Sequence, residues 1–234
     1  MDALPKVSCI ICAFNEQQMI GGLLSVLSTH PLLGEVIVVN DGSTDRTAQI
    51  VQSYDSIRLI SHQTNCGKSA AVASGITAAR HDFVMLLDAD LHGLSQRSVE
   101  QLALPVVLGT ADVTVSLRRN SLYLYRFIGL DFVSGERVFP RAMLADKLDE
   151  IARLPHFGFE AYFNRLIVER QLRMKVVRWE SVLNSRKTTK TGLWKGTRAE
   201  FGMVADICSV VPPWEIVMQN YRLLSLAKAE RKRA

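Results

Sequence analysis

Two aspartates that lie two positions apart, Asp88 and Asp90, follow the apolar residues Leu86 and Leu87. Carboxylates placed where a buried strand leaves a sheet can hold a hard divalent cation through oxygen, with positions left for phosphate oxygens and water. Without a cation, the two negative charges would repel each other. An Asp-x-Asp pair is common by itself, and its other interpretation is two solvated loop acids. The pair therefore predicts a Mg²⁺ or Mn²⁺ site if further polar groups gather around it.

Further polar groups occur at the ends of three other predicted strands. Asn15 and Glu16 follow the first strand, Asp41 ends the second, and Gly67-Lys68 comes after the third. In an open parallel sheet, ligands bind outside the carboxyl ends of the strands, so these groups should converge with the aspartate pair at one edge. This convergence is stronger evidence for a binding site than any single cluster.

The residue types in these clusters suit a nucleotide. Asp41 can accept hydrogen bonds from a nucleobase or a ribose. Gly67 and Lys68 open a helix, which offers backbone N–H groups and a cation to a phosphate. For Ser43 and Asp45 we favour a role in the turn and the helix cap. The chain has neither the P-loop spacing nor a Gly-x-Gly-x-x-Gly after the first strand, which argues against a dinucleotide-dependent oxidoreductase.

The elements that must position these residues alternate regularly in the first half of the chain. Short Val- and Ile-rich runs predict strands at 7–13, 35–40, 57–60, 83–87 and 112–116. A helical apolar period predicts helices at 17–28, 44–53, 68–79 and 95–107. Such alternation is typical of βαβ units, and thus of an α/β fold with a mainly parallel sheet and helices on both faces.

The alternation ends near residue 117. Beyond it we expect an antiparallel strand or a loop at 130–139, a strand at 174–179 and a basic loop at 184–192. Helices are predicted at 141–152, 159–170, 195–211 and 214–232, with Pro212-Pro213 separating the last two.

Composition excludes several classes of protein. The chain has 234 residues, 48% hydrophobic and 22% charged, unlike a disordered chain or a coiled coil. The net charge of +5 divides into −5 for residues 1–117 and +10 for residues 118–234, so the two halves should meet different ligands. Neither a long uncharged apolar run nor a signal-peptide pattern is found, and we expect a cytoplasmic protein. Cys9 and Cys12 lie inside an apolar strand, and we interpret them as buried or semi-buried thiols without a role in the chemistry.

The motifs taken in order resemble those of glycosyltransferase family 2. The matching segments are Ala13-Phe14-Asn15-Glu16, Val39-Asn40-Asp41-Gly42-Ser43-Thr44-Asp45, Asn65-x-Gly67-Lys68 and Asp88-Ala89-Asp90. The resemblance implies a GT-A fold with a Rossmann-like sheet. It also implies an enzyme that transfers a sugar from a UDP- or GDP-sugar. We predict a GT-A domain at 1–192, divided into a nucleotide-sugar half at 1–117 and an acceptor half at 118–192, and a basic helical extension at 193–234.

The resemblance also assigns roles to single residues. The nucleotide-sugar pocket would be lined by Ala13, Asn15, Glu16, Asp41, Gly67, Lys68, Asp88, Ala89 and Asp90. The metal would be held by Asp88 and Asp90, and His92, where the family usually has Gln, is a candidate third ligand. When bound, the cation would neutralise the diphosphate leaving group, which makes Asp90 a catalytic residue.

Within the family, Asp88-Ala89-Asp90-Leu91 is most similar to the polyprenol-phosphate sugar transferases, dolichol-phosphate mannosyltransferase among them. Arg118, Arg119 and Arg126 resemble the basic residues that follow the fifth strand in those enzymes and hold phosphate groups. We expect Arg118 to act in catalysis as well. Ser134-Gly135-Glu136 resembles the acceptor-side segment of the family.

Two classes of acceptor stay open. An alcohol acceptor needs a general base, and Glu160 stands at a helix start where the family often carries one. A lipid phosphate acceptor is already ionised and needs cations, which Arg186, Lys187 and Lys190 would supply. The other interpretations are a charge favoured by the helix dipole for Glu160 and a solvated loop for the basic run. The basic C-terminal segment either contacts the inner face of a membrane peripherally or packs on the domain, and we favour packing.

Rival functions make different demands on the sequence. A nucleotidyltransferase would require a Gly-rich loop with Arg or Lys after the first strand, where this chain has Phe14-Asn15-Glu16. A nucleic-acid partner is not expected, because the acidic edge of the first half would repel a phosphate backbone. A nucleotide-sugar-binding module without catalysis remains possible on the sequence alone.

Overall fold

A seven-stranded sheet organises the chain in the computed structural model, which describes residues 4–121, 123–155, 158–184 and 213–231. The strands are β1 Val7–Ala13, β2 Leu33–Asp41, β3 Ile57–His62, β4 Phe83–Asp88, β5 Leu91–His92, β6 Val113–Arg118, β7 Arg137–Pro140, β8 Met174–Trp179 and β9 Leu183–Asn184. The helices are α1 Ile20–Leu27, α2 Thr47–Gln52, α3 Lys68–Ala78, α4 Gln96–Val107, α5 Tyr123–Ile128, α6 Leu148–Ala152, α7 Gly158–Glu169 and α8 Pro213–Arg231, with a 3₁₀ turn at Arg141–Met143.

The strand order in this sheet is β3-β2-β1-β4-β7-β6-β8. The pairs on both sides of β1 are parallel, as is the pair of β6 with β8, whereas β7 runs antiparallel to β4 and β6. The predicted α/β fold with a mainly parallel sheet is therefore confirmed. The segment 130–139, predicted as an antiparallel strand or a loop, is a loop that leads into the antiparallel strand β7.

Helices cover both faces of the sheet because successive side chains of a strand point to opposite sides. Ile11 of β1 belongs to one core cluster together with Leu24 of α1 and Leu102 of α4. Ile10, its neighbour on β1, belongs to the other cluster, which includes Phe163 of α7. Strands buried on both faces explain why the predicted strands read as continuous apolar runs.

The helix predicted at 141–152 is wrong as a single element. The structure has the 3₁₀ turn Arg141–Met143 and the short helix α6 in its place. Between them the backbone turns, with Leu144 N–H bonded to Arg141 O and Lys147 N–H bonded to Leu144 O. This arrangement buries both Leu144 and Ile151, so tertiary packing overrides the local helical period.

The C-terminal helix α8 packs against α7 and β8 and buries Leu223 and Ala227. This confirms the interpretation of this segment as a helix packed on the domain. None of the helices in the described ranges combines the length and apolarity needed to cross a bilayer. The helix predicted at 195–211 and most of the basic loop, including Arg186, Lys187 and Lys190, lie outside the described residues. The division into a domain at 1–192 and an extension at 193–234 stays a prediction.

Candidate active site

The carboxyl ends of the parallel strands bring the predicted site residues to one edge of the sheet. Asp41 ends β2 and pairs in register with His62, which ends β3. Asp88 ends β4 beside Cys12 of β1, and Arg118 ends β6. Because β7 is antiparallel, its amino end lies at this same edge, which places the preceding loop of residues 131–136 over the site.

Asp41 is the centre of a hydrogen-bonded group that we call the Asp41 cluster, made of Asp41, His62, Cys66, Gly67 and Ser74. Asp41 Oδ1 accepts hydrogen bonds from His62 Nδ1 at 2.7 Å and from Cys66 N at 2.9 Å. Asp41 Oδ2 accepts one from Gly67 N at 2.8 Å. On the other side of the imidazole, His62 Nε2 lies 2.9 Å from Ser74 Oγ. Asp41 thus holds the loop between β3 and α3 in place.

Gly42, the residue after Asp41, allows this loop to approach. Its φ is +72°, a left-handed conformation that favours glycine. A Cβ at this position would lie 2.5 Å from the carbonyl carbon of Thr64. Both the backbone conformation and the close contact therefore require glycine in the Asp41-Gly42 pair.

The loops after β1 and β2 are joined by reciprocal hydrogen bonds. Asn15 N donates to Ser43 Oγ at 2.9 Å, and Thr44 N donates to Asn15 Oδ1 at 2.9 Å. Asp45 accepts from Gln17 N at 3.1 Å and from Thr47 N at 2.9 Å. The predicted turn role of Asp45 is confirmed. Because these residues are used between the loops, α1 and α2 begin three residues later than the sequence pattern predicts.

A second group, the central charge cluster, consists of Lys68, Asp88, Arg118, Asp131, Glu136 and Glu160. Lys68 Nζ lies 2.7 Å from Asp88 Oδ1 and 2.7 Å from Glu160 Oε1. Burial by itself would lower the pKa of Lys68, but the two carboxylates outweigh it and raise that pKa. Glu160 is only 2% exposed. Lys68 is therefore a cation shared by two acids, which the sequence did not indicate.

Arg118 forms the other half of this cluster. Its guanidinium is paired with Glu136, and it lies 3.5 Å from Asp131 Oδ2 and 3.8 Å from Asp88 Oδ2. Burial raises the pKa of Asp88, but Lys68 and Arg118 outweigh it, so the net shift is downward. Asp88 is therefore kept ionised, the form in which a carboxylate binds a metal.

The backbone at Gly135 crosses directly over this cluster. A Cβ at Gly135 would lie 2.4 Å from Asp88 Oδ1 and 2.5 Å from Lys68 Nζ. The Ser134-Gly135-Glu136 segment, which the sequence places on the acceptor side, is thus in contact with the predicted metal ligand Asp88. A methyl group at this position would have to displace the Asp88–Lys68 ion pair or the loop itself.

Arg137, which follows this segment, is fully buried and holds the segment through hydrogen bonds. Its guanidinium donates to Ser134 O at 2.9 Å, to Phe132 O at 3.1 Å and to Asn164 Oδ1 at 2.8 Å. Sequence reasoning missed this residue and Asp131, and it placed Glu136 in the acceptor-side segment without its ion pair to Arg118. The available signal was three charges, two acids and an arginine, within an otherwise apolar stretch.

The remaining predicted residues lie around these groups. Ala13 and Ala89 are buried, Asp90 is half-buried directly after β4, and His92 is exposed on β5. Two carboxylates at this edge form a hard oxygen donor set, which fits Mg²⁺ or Mn²⁺. Donor atoms of Asp41, His62 and Cys66 also lie within 4.8 Å of one another, but the first two are already hydrogen-bonded.

Arg119 and Arg126 lie beside Arg118 at a separate feature of this edge. They line a cavity of about 240 Å³ at the carboxyl ends of β6 and β8. The residues around this arginine cavity are Leu117, Arg118, Arg119, Arg126, Phe127, Arg178, Trp179 and Glu180. Arg118 Nε has no hydrogen-bond partner among the described residues, and Phe127 is 90% exposed. The cavity therefore offers cationic groups beside an apolar ring, and Arg178 was missed at the sequence level.

With this geometry established, the family can be assigned. The sequence model of the family described as Glycosyl transferase family 2 matches residues 8–166, a range that contains every residue of both clusters. The chain belongs to glycosyl transferase family 2. The family-level resemblance is thus confirmed, whereas the polyprenol-phosphate subtype stays a prediction.

Curated relatives match a smaller part of this family 2 chain. The poly-beta-1,6-N-acetyl-D-glucosamine synthase of Staphylococcus aureus (strain COL) is 35% identical over 94 residues, which is 38% of this chain and 23% of the relative. The protein of the same name from Staphylococcus epidermidis is 35% identical over 88 residues, or 36% of this chain and 21% of the relative. The match thus spans less than a quarter of the length of these relatives.

Solved structures show the same fold. Glucosyl-3-phosphoglycerate synthase from Mycobacterium tuberculosis, in complex with Mn²⁺, UDP and glucosyl-3-phosphoglycerate, has a TM-score of 0.68 at 20% identity, covering 88% of this chain and 80% of that chain. The same enzyme with Mg²⁺ and UDP has a TM-score of 0.67 at 19% identity, covering 88% and 79%. The predicted GT-A fold is therefore confirmed.

Proposed function

We propose that this chain is a glycosyltransferase that moves a sugar from a nucleotide-sugar to a polyprenyl phosphate with the help of Mg²⁺ or Mn²⁺. The observation that carries the proposal is the placement of Asp88-Ala89-Asp90 at the carboxyl edge of the sheet of a family 2 chain, with Lys68 and Arg118 beside it. The fold and the family support sugar transfer.

The donor side is formed by the loops after β1 to β4. Asp41 lies at the nucleobase or ribose end, with Asn15 and Glu16 in the facing loop. A UDP-sugar is favoured because the similar solved structures contain UDP or UDP-glucose. The Gly67 N–H is bonded to Asp41, and Lys68 is paired with two acids, so these two residues position the pocket rather than offer open phosphate ligands.

Asp88 and Asp90 would hold the divalent cation, with His92 as a candidate third ligand. When bound, the cation supplies Lewis-acid stabilisation of the diphosphate leaving group. Lys68 and Arg118 keep Asp88 in the ionised form, and Gly135 leaves room for the carboxylate above them. Single displacement with inversion, expected from the family, then requires only that the acceptor be held in line with the departing diphosphate.

The arginine cavity supports an anionic acceptor. Arg119, Arg126 and Arg178 border it, Arg118 Nε faces no partner among the described residues, and Phe127 offers an apolar surface next to the cations. A phosphate oxygen is ionised at neutral pH and attacks without a general base, which agrees with the ion pair between Glu160 and Lys68. A polyprenyl phosphate combines both features of the cavity, an anionic head and an apolar chain. Catalysis would then occur at the inner face of the membrane.

An alcohol acceptor with Glu160 as base is the second candidate. Glu160 Oε2 has no hydrogen-bond partner within the described part of the chain, which leaves one carboxylate oxygen able to take a proton. In this case Lys68 orients the base. A Glu160→Gln variant separates the two candidates, because it would abolish transfer to an alcohol and leave transfer to a phosphate largely intact.

The test is a transfer assay on the purified chain with UDP- and GDP-sugars, Mn²⁺, and three acceptors: vesicles containing polyprenyl phosphate, a soluble phosphate ester, and a sugar alcohol. We expect product with the vesicles and a loss of about 10-fold or more in Arg119→Ala/Arg178→Ala, because charge-assisted contacts to phosphate are lost. Arg97→Ala, an exposed arginine outside the cavity, is the matched control. Nucleotide binding without turnover on any acceptor would instead identify a binding module.

A further inference from the structure

His62, the residue that ends β3, is held from two sides by other elements. Its Nδ1 lies 2.7 Å from Asp41 Oδ1 on β2, and its Nε2 lies 2.9 Å from Ser74 Oγ on α3. The imidazole is largely buried between these partners. Because Asp41 is a carboxylate acceptor, Nδ1 carries the proton, and Nε2 faces the serine hydroxyl. The orientation of the ring is therefore determined by both neighbours.

The hydrogen bonds of Asp41 show what this contact does. A carboxylate has about four acceptor positions, two on each oxygen. His62 Nδ1 and Cys66 N occupy the two positions on Oδ1, whereas Gly67 N occupies one on Oδ2. Among the residues that the structure describes, the position that remains lies on Oδ2. Without His62, a position on Oδ1 would open, and the carboxylate would be held by two backbone donors alone.

We propose that His62 is a positioning residue for donor binding: it occupies Asp41 Oδ1 and thereby directs the remaining acceptor position, on Oδ2, at the nucleobase. This inference rests on the proposed nucleotide-sugar function and on Asp41 as the residue at the base. A base that presents a ring N–H, such as uracil or guanine, donates to this oxygen. A base with a ring acceptor at the same place, such as adenine or cytosine, meets a carboxylate lone pair and is disfavoured.

The test compares the wild type with His62→Ala, His62→Asn and Ser74→Ala. Calorimetry gives the dissociation constants of UDP, GDP, CDP and ADP with Mn²⁺, and a transfer assay gives kcat and KM for the donor. In His62→Ala we expect the affinity for the preferred ring N–H nucleotide to fall about 10-fold, the effect of one charge-assisted hydrogen bond, with kcat changed less than about twofold. The affinity for ADP should change little. His62→Asn should restore most of the loss, because its amide N–H replaces Nδ1–H. Ser74→Ala should have a smaller effect in the same direction.

A purely structural role would give a different pattern. The affinities for all four nucleotides would then fall together, and KM and kcat would both change. His62→Asn would not restore the affinity that is lost in His62→Ala. That result, or an unchanged dissociation constant in His62→Ala, overturns the inference about His62. The proposed function is supported independently if the wild-type chain transfers the sugar. If the wild-type chain binds none of the four nucleotides in the presence of Mn²⁺, the proposed function fails and this inference fails with it.

Discussion

The Asp41 cluster and the central charge cluster both contain an aspartate at the carboxyl end of a strand, yet the two carboxylates are satisfied differently. Asp41 accepts hydrogen bonds from two backbone N–H groups and one imidazole. Asp88 is compensated by the side-chain cations of Lys68 and Arg118, which are shared with Glu160 and Glu136. The first arrangement fixes the path of a loop, whereas the second fixes the charge state of a site. Substitutions should therefore affect shape in one cluster and electrostatics in the other.

The largest effect is expected from Asp90→Asn, which tests whether the central charge cluster serves a metal. Loss of a metal ligand should lower kcat/KM about 1,000-fold, corresponding to several kcal/mol of leaving-group stabilisation. The melting temperature should stay close to that of the wild type because the substitution is isosteric. The measurement is a Mn²⁺-dependent transfer assay with thermal unfolding, and Asp146→Asn, at an exposed acid, is the control. Unchanged turnover in Asp90→Asn would rule out the metal role.

Lys68→Met removes the cation that Asp88 and Glu160 share. We expect the free energy of unfolding to fall by about 3 kcal/mol, since the buried carboxylate of Glu160 loses its cation and Asp88 keeps only the longer contact to Arg118. Adding Glu160→Gln should recover part of this loss, because one of the uncompensated charges is then gone. Urea denaturation of the wild type, both single variants and the double variant forms the cycle. Additive effects of the two substitutions would contradict the coupling.

Gly135→Ala tests the contact between the acceptor-side loop and Asp88. The added Cβ would lie 2.4 Å from Asp88 Oδ1, so the loop or the Asp88–Lys68 pair must shift. Since misplacement by about 1 Å can cost about 100-fold in rate, we expect a 10- to 100-fold loss of kcat. The free energy of unfolding should fall by about 1–3 kcal/mol. Gly22→Ala is the matched control, because a Cβ there has no atom within 4 Å and lies in a helix. Equal activity of the two variants would show that the loop tolerates the methyl group.

Asp41→Asn probes the other cluster, where a hydrogen bond rather than a charge partner is lost. One oxygen becomes an amide, so one of the three donors to Asp41 loses its acceptor. We expect the free energy of unfolding to fall by about 1–2 kcal/mol, which is less than the fall expected in Lys68→Met. Asp55→Asn, at an exposed acid, provides the control in the same urea series. The proposed difference between the clusters would be wrong if Asp41→Asn lowered the free energy of unfolding more than Lys68→Met.

The pH dependence of stability separates the clusters further and has the smallest expected effect. The folded pKa of Asp88 lies below its ordinary value of 3.8, although burial opposes this shift, because Lys68 and Arg118 stabilise the carboxylate. Its contribution to stability is therefore present above about pH 4 and is lost as the pH falls through the folded pKa. In Lys68→Met the loss of stability on acidification should be shallower. Parallel curves for wild type and Lys68→Met between pH 6 and pH 2 would contradict this assignment.

Much of the donor side was predictable because its signals are local. Strand ends at Asp41 and Asp88 follow from apolar runs that stop at a polar residue, and a parallel sheet brings such ends to one edge. The turn role of Asp45 follows from side-chain chemistry within a few residues. The split between the 3₁₀ turn and α6 was not predictable, since Leu144 and Ile151 are buried by distant partners that the local helical period does not contain.

The sequence by itself determined the α/β class, the residues at the carboxyl edge and the membership of glycosyl transferase family 2, because alternating apolar runs and short motifs with ordered spacing carry that information. Only the tertiary structure decided that Lys68 pairs with both Asp88 and Glu160, that Arg118 pairs with Glu136, and that His62 holds Asp41. The antiparallel β7, inserted between β4 and β6, brings the loop with Glu136 to the edge where Asp88 ends. Charge pairing depends on such through-space distances, which strand order sets and sequence spacing does not.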